Sequence, residues 1–237
     1  MNERVVPIRH GHPHGPAWSV RSPGRRPDQI DSGRILQPGD HLFHAGDSIS
    51  APCLVVGGVL KSYVSDEDGD DQVIGLHMTG DIVGFEALVH GRASCAIVAL
   101  DTAKVRKVNS RSAFGGQTEA LSDSDMILMG MYREMLRLTH LLKMNRGPTE
   151  GRLARFLLDY GELQVQRGCS REEFLLPMGR RDLARYLGLA TETLSRLFGR
   201  FRDRQLLEVV NNHIRILDLD GLARLAGTTC RDPVNSA

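Results

Sequence analysis

Apolar residues follow three rhythms along the chain, and each predicts a different kind of element. From about residue 34 to 116 they come in short runs: Leu36, then CLVVGGVLKSYVS (53–65), QVIGLHMTGDIVGFEAL (72–88) and SCAIVALDTAKVRKV (94–108). Glycine and acidic residues bound these runs, among them PGD at 38–40 and AGD at 45–47. Short Val, Ile and Leu runs between such breakers predict the strands of a small sandwich or roll. The Gly-Asp pairs suit turns that need positive φ or an aspartate hydrogen-bonded to the backbone. The acidic stretch SDEDGDDQ (65–72) lacks the further acidic position and the downstream glutamate of a calcium loop, so Asp68-Gly69 is read as the turn of a hairpin.

From about 120 to 145 the period becomes helical. Leu128, Met131, Met135, Leu138 and Leu142 are spaced alternately three and four apart. That is a narrow seam, suited to one facing helix rather than a broad core, although packing on the helix's own domain is the alternative. Asn145-Arg146-Gly147-Pro148 ends this helix and forms a hinge, since proline disfavours helix in the residue before it. A further helix follows from about Thr149, with Leu153, Phe156, Leu157 and Tyr160 on one face.

The segment RRDLARYLGLATETLSRLFG (180–199) fits two helices crossing through a tight turn. Leu183, Leu187, Leu194 and Leu197 supply a shared core, Ala184 is small where the second helix approaches, and Leu189 plugs the joint. Gly188 stands where the turn needs a left-handed backbone. On the second helix Leu194, Leu197, Phe198 and Phe201 make a buried stripe, while Glu192, Ser195, Arg196 and Gly199 lie opposite. LLEVVNNHIRILD (206–218) then reads as a hairpin turning at Asn211-Asn212, a wing whose His213 is a weak phosphate contact. The pattern as a whole predicts an α+β protein. It predicts a flexible tail over residues 1–33, a β-roll over 34–116, a long helix carrying the seam over 117–146 and a winged helix-turn-helix over 147–237.

Composition adjusts this picture in few places. The 237 residues carry a formal net charge of +1, so a nucleic-acid footprint must be local. It is local: between Met178 and Arg204 seven arginines face only Asp182, Glu192 and Asp203. Arginine forks onto guanine O6 and N7, and a carboxylate accepts from the amino group of cytosine. Glu192 therefore costs phosphate affinity but offers base discrimination, and it can steady Arg196 one turn on; the bland alternative is a first-turn carboxylate favoured by the helix dipole. No apolar run approaches the ~20 residues of a membrane span. No apolar stretch follows the N-terminal arginines, so no secretory signal is expected and the cytoplasm is the expected compartment. Cys53, Cys95, Cys169 and Cys230 are far apart and are read as free thiols. His10, His12 and His14 alternate in the tail without a scaffold to make them a metal site.

The blocks GGVLKSYVSDEDGDDQVIGLHMTGDIVGFEAL (57–88), EGRLARFLLDYGELQVQRGCSREEFLLPMGRRDLARYLGLATETLSRLFGRF (150–201) and LARLAG (222–227) resemble the CRP/FNR superfamily of bacterial transcription regulators, the FNR/FixK branch most closely. The resemblance runs from about Arg34 to Gly227. It implies a cyclic-nucleotide-binding-like β-roll (a double-stranded β-helix), a long dimerisation helix and a C-terminal winged helix-turn-helix. It implies a homodimer that binds double-stranded DNA, works with RNA polymerase, more often as an activator, and performs no catalysis. In the FNR branch the reading helix carries Glu, two residues, then Ser-Arg, matched here by Glu192, Ser195 and Arg196, which implies a TTGAT-N4-ATCAA palindrome with one half-site per subunit. Arg181 looks like a backbone-phosphate contact, and Thr191, Thr193 and Arg200 flank the reading face. The seam from Leu128 to Leu142 becomes the dimer contact.

Departures from the family pattern narrow the expectation. Oxygen-sensing members ligate an iron–sulfur cluster through N-terminal cysteines and one in the β-roll. This chain has no cysteine before Cys53, and Arg106 aligns with the β-roll ligand. Cyclic-AMP-binding members hold the phosphate with Arg-Ser, whereas Ser94-Cys95 stands here, with Arg92 two residues early. No cofactor is therefore expected, and the reading is a FixK-like regulator of low-oxygen or redox genes. Cys95 is expected to be a core cysteine and His77 a satisfied structural histidine. Three other readings are a cupin-like metal enzyme, which His44, His77 and His90 are too scattered to support, a cyclic-nucleotide-responsive CRP-type regulator, and a DNA binder without sequence preference.

Overall fold

Three turns of the same build organise the N-terminal half. In each, a glycine of positive φ (Gly39, Gly46, Gly80) precedes an aspartate that accepts the backbone N–H three residues earlier. Gln37 donates to Asp40, His44 to Asp47 and Met78 to Asp81, each at 2.8 Å. The chain is described from a computed structural model over residues 33–66, 69–108 and 123–227. The tail with its three histidines, Asp68, Cys230 and the expected boundary at 116–117 lie outside those residues.

The turns follow the first, second and fifth of eight strands: β1 (Arg34–Leu36), β2 (His41–Phe43), β3 (Cys53–Gly57), β4 (Val59–Ser65), β5 (Asp71–Met78), β6 (Ile82–Val83), β7 (Ala96–Ala99) and β8 (Ala103–Lys107). They form two four-stranded antiparallel sheets, ordered β1-β8-β3-β6 and β2-β7-β4-β5. Leu36, Val55, Leu60, Ile97, Ala103 and Val105 fill the space between them. A short 3-10 turn, Phe85–Leu88, follows β6. Strands β4 and β5 pair from Val59–Met78 out to Ser65–Asp71, so the acidic stretch is a hairpin as expected.

Helix α1 (Asp123–Asn145) is about 34 Å long by its rise per residue. Its two faces reverse the usual arrangement. Arg133 and Arg137 are buried against the β-roll, while the apolar seam points outward. Arg137 donates to both oxygens of Glu134 and, at 2.8 Å, to the carbonyl of Ile74; Arg133 donates to the carbonyl of Gly80. Gly130 belongs to the same inner face, where a Cβ would come within 3.1 Å of Ile82 and Phe85.

Past the hinge come α2 (Thr149–Gln166), β9 (Glu173–Leu175), α3 (Arg180–Tyr186), α4 (Thr191–Asp203), β10 (Leu207–Val210), β11 (His213–Ile216) and α5 (Leu219–Ala226). The expected hairpin gains a third strand, giving the sheet order β10-β11-β9. Leu153, Phe156, Leu157 and Tyr160 are buried as the periodicity predicts. Their core is continuous with Val59, Val73, Leu76 and Met78 of the roll, so no gap separates the two halves.

Candidate nucleic-acid interface

The geometry of α3 and α4 follows from one turn. Gly188 has φ of 62°. Around it the N–H of Leu189 bonds the carbonyl of Ala184 at 2.9 Å, and the N–H of Gly188 bonds that of Arg185 at 3.2 Å. This pair of bonds ends a helix on a left-handed residue, which a side chain disfavours. Leu183, Ala184, Leu187, Leu194 and Leu197 are fully buried between the helices. Arg152 of α2 braces the turn by donating to the carbonyls of Leu187 and Gly188.

The reading helix α4 buries Leu194, Leu197, Phe198 and Phe201 and leaves Glu192, Ser195 and Arg196 exposed on its other side. Thr191 and Thr193 are half-buried, and Ser195 donates its hydroxyl to the carbonyl of Thr191 at 3.0 Å. Ala190 caps the helix without a side-chain acceptor, so the first-turn amides keep their donors at the end where Glu192 sits. Nothing within 4 Å would meet a Cβ at Gly199, so this face is open. The steadying contact expected between Glu192 and Arg196 is not made: neither has an ion-pair partner among the described residues.

The arginines divide into two groups. Arg181 is exposed at the start of α3. Its neighbour Arg180 turns inward, its guanidinium carbon 3.6 Å from the ring centre of Phe198 and one nitrogen donating to Asn211 at the wing turn. Arg180 thus ties α3, the reading helix and the wing together, a role that sequence position does not distinguish from that of Arg181. Arg200 departs from the expected flank of the reading face. It pairs with Glu150 of α2 at 3.0 Å, and Arg204 pairs with the same carboxylate at 3.1 Å. His213 on the wing pairs with Glu173 of β9 at 3.2 Å, a partner that came to light only with the third strand.

The seam is bare. Leu128, Met131, Met135, Leu138 and Leu142 are 67, 48, 58, 42 and 67 % exposed, so the chain's own β-roll does not cover them.

Elsewhere the tempting sensor groups are withdrawn from solvent to different degrees: His77 is buried, and Cys95, expected in the core, is only partly buried against it. Burial pushes the Cys95 thiol up to about 11, with Glu86 adding to the effect, so little reactive thiolate forms. His77 is buried on β5, 2.9 Å from the Ser62 hydroxyl, while its Nδ1 has no hydrogen-bond partner. The structural reading thus holds for one ring nitrogen only. Burial, reinforced by Arg137, lowers its pKa to about 4. Ser94 donates through both its N–H and its hydroxyl to the Glu86 carboxylate. Arg92 donates to the carbonyl of Gly46. Arg106 reaches Met126 and the carbonyl of Lys107. Among the described residues no group of three His, Cys, Asp or Glu side chains is placed to hold a metal ion, and no helix is long and apolar enough to cross a membrane.

Comparison with known proteins agrees with this geometry. Residues 151–225 match the Crp-like helix-turn-helix domain, and residues 34–114 match the cyclic nucleotide-binding domain. The fumarate and nitrate reduction regulatory protein of Salmonella typhi is 36% identical over 215 residues, covering 85% of this chain and 83% of that protein. The protein of the same name from Escherichia coli (strain K12) is 35% identical over the same length. Among solved structures, FixK2 from Bradyrhizobium japonicum superposes with a TM-score of 0.69 at 20% identity, over 86% of this chain and 100% of that one. A CRP-family transcriptional regulator of Thermus thermophilus gives 0.68 at 19% identity, over 84% and 98%.

Proposed function

The chain belongs to the CRP/FNR family of DNA-binding transcription regulators, and on that premise we propose that it acts as a homodimer that reads a TTGAT-N4-ATCAA palindrome. The observation that carries this reading is the exposed face of Glu192, Ser195 and Arg196, opposite a fully apolar stripe on a helix held by the Gly188 turn. Arg196 is suited to fork onto guanine and Glu192 to accept from cytosine, which together select a G·C step. Arg181 adds phosphate contact, and Thr191 and Thr193 flank the base contacts. Arg200 contributes only if its pair with Glu150 opens. The bare seam is covered by the same seam of a second copy, as the two-fold symmetry of a palindrome requires.

Bound upstream of a promoter, the dimer recruits RNA polymerase and acts mainly as an activator in the cytoplasm, without catalysing a reaction. The name of the two relatives speaks of fumarate and nitrate reduction, and genes for low-oxygen or redox metabolism are the corresponding targets here. No cofactor enters this reading. Cys53 is buried in the core of the roll, where burial raises its thiol pKa. Arg106 brings a cation to the neighbouring register position on β8. These residues do not fit an iron–sulfur cluster, which needs several accessible thiolates. A cyclic phosphate at Ser94 would meet the carboxylate of Glu86, a like charge that disfavours it.

Competition binding tests the proposal. The protein should prefer a duplex with the palindrome over one with both half-sites scrambled by about a thousandfold, within the usual span of specific over non-specific binding. Equal affinity for the two duplexes would refute it.

A further inference from the structure

The acidic β4–β5 hairpin grips α3, the first helix of the helix-turn-helix. Lys61 of β4 pairs with Asp182 of α3 at 2.7 Å, the two side chains being 13 and 21 % exposed. Arg185, on the same helix, pairs with Asp70 at 3.0 Å and Asp71 at 3.2 Å at the hairpin end. The side-chain amide of Gln72 donates to the carbonyl of Arg185 at 2.6 Å. The signs alternate: a cation and two anions on the hairpin face an anion and a cation on α3. Sliding α3 along the hairpin would bring like charges together. Apolar contact seals the junction, because Val73, Leu76 and Tyr186 share one core.

This junction lies on the mechanical path between the two parts of the protein that matter for a palindrome. The seam is on α1. Arg137 fixes α1 to β5 through the carbonyl of Ile74, and Arg133 fixes it to the β5–β6 turn through that of Gly80. The hairpin fixes α3, and the Gly188 turn fixes α4 on α3. The covalent route from α1 to α2 runs through Arg146-Gly147-Pro148, which alone leaves the orientation of the DNA-binding half poorly constrained.

We propose that the β4–β5 hairpin is a gauge: its ion pairs with Asp182 and Arg185 set the orientation of the reading helix relative to the seam, and so the half-site spacing the dimer accepts. The inference rests on the dimeric reading above. It assigns to these residues a positioning role in DNA recognition without contact to DNA. Pairs of this kind contribute little net stability, but a shift of α3 sets like charges face to face, which suits them to fix a geometry.

The experiment is binding competition among palindromes that keep both half-sites and vary the spacer above and below four base pairs. It uses the full chain and its variants Lys61→Asp, Asp182→Lys and the two combined. The wild type should favour one spacing by at least about tenfold. Each single reversal should flatten that preference about tenfold, with sedimentation still showing a dimer and base preference within a half-site unchanged. The combined variant, with the pair restored in reverse, should recover the spacing preference; general destabilisation would not produce that recovery. Asp70→Asn with Asp71→Asn changes only the exposed hairpin end, and should flatten the preference even if the reversals fail to fold. Dimeric variants that keep the wild-type preference, or a combined variant that does not recover it, overturn the gauge while leaving the dimeric reading intact. A wild type that is monomeric, or indifferent to spacing, overturns both.

Discussion

Met135 sits at the middle of the seam, with Leu128 and Met131 before it and Leu138 and Leu142 after. At 58 % exposed it makes little contact within its own chain. Replacing it with Asp should therefore leave the folded monomer almost unchanged, apart from a helix-propensity cost of about 0.5 kcal/mol. In the proposed dimer the position faces a partner helix, and two-fold symmetry places two carboxylates there. An unpaired charge at a desolvated site costs about 3 kcal/mol. Two of them give about 6 kcal/mol, a rise in the dimer dissociation constant of roughly ten-thousandfold. Analytical ultracentrifugation across a concentration series measures that shift, and thermal unfolding at high dilution reports the monomer. The variant should be monomeric and folded. An intact dimer would show that another surface joins the subunits. Loss of the monomer fold would show that the seam packs within the chain.

Glu192→Ala should relax preference at one base pair by about tenfold to a hundredfold, with non-specific binding equal or stronger; selection from a site library checks this, and an unchanged preference removes Glu192 from the readout. Arg196→Ala should abolish selection of the palindrome, and a variant that still selects it would mean that the reading face is misassigned. The salt dependence should be shallow. With Arg181 and Arg196 contacting the duplex in each subunit, and about 0.9 per contact, the slope of log K against log salt should be about −4. If every arginine between Met178 and Arg204 took part, it would be about −13. His77 should make the fold acid-sensitive. Its folded pKa of about 4 lies below the unfolded value of 6.5. The unfolded chain therefore binds the extra proton between those values, and stability present above pH 6.5 is lost as pH falls towards 4. The loss relative to His77→Gln is on the order of 3 kcal/mol. A stability difference between the two that does not vary with pH would refute this.

The sequence disclosed what periodicity can disclose. The stripe of Leu194, Leu197, Phe198 and Phe201 and the seam on α1 repeat at helical spacing and appear where that spacing puts them, and the glycine between two helical runs marks the left-handed turn at Gly188. Arg133 and Arg137 were invisible to it. An arginine on a helix reads as solvated surface, and only the carbonyls of Ile74 and Gly80, far away in sequence, make these two a buried anchor. The strand β9 was missed because three residues carry too little pattern, and its existence depends on the edge that β11 offers. Arg180 and Arg181 differ by one position and by about 100° of helix rotation, which sends one to Phe198 and the other to solvent. The pairing of Arg200 with Glu150 joins residues half a hundred positions apart, a distance at which charge alone selects no partner.

That division of the arginines explains why a carboxylate is tolerable on the reading face. Phe198 and Asn211 hold Arg180, the hairpin holds Arg185, and Glu150 holds Arg200 and Arg204. Much of the apparent basic footprint is therefore used inside the protein to fix the position of α4, and what reaches the outer face is small. A helix presenting many free cations would bind any duplex, and one carboxylate would weaken it without making it selective. With four of the seven arginines between Met178 and Arg204 engaged inside the protein, phosphate attraction is modest. The choice between base pairs then weighs more heavily in the total. Arg196 supplies a donor fork and Glu192 an acceptor, one turn apart and unpaired with each other. In the proposed complex each meets its base edge without first breaking an internal salt bridge, an arrangement that favours discrimination over strength of attachment.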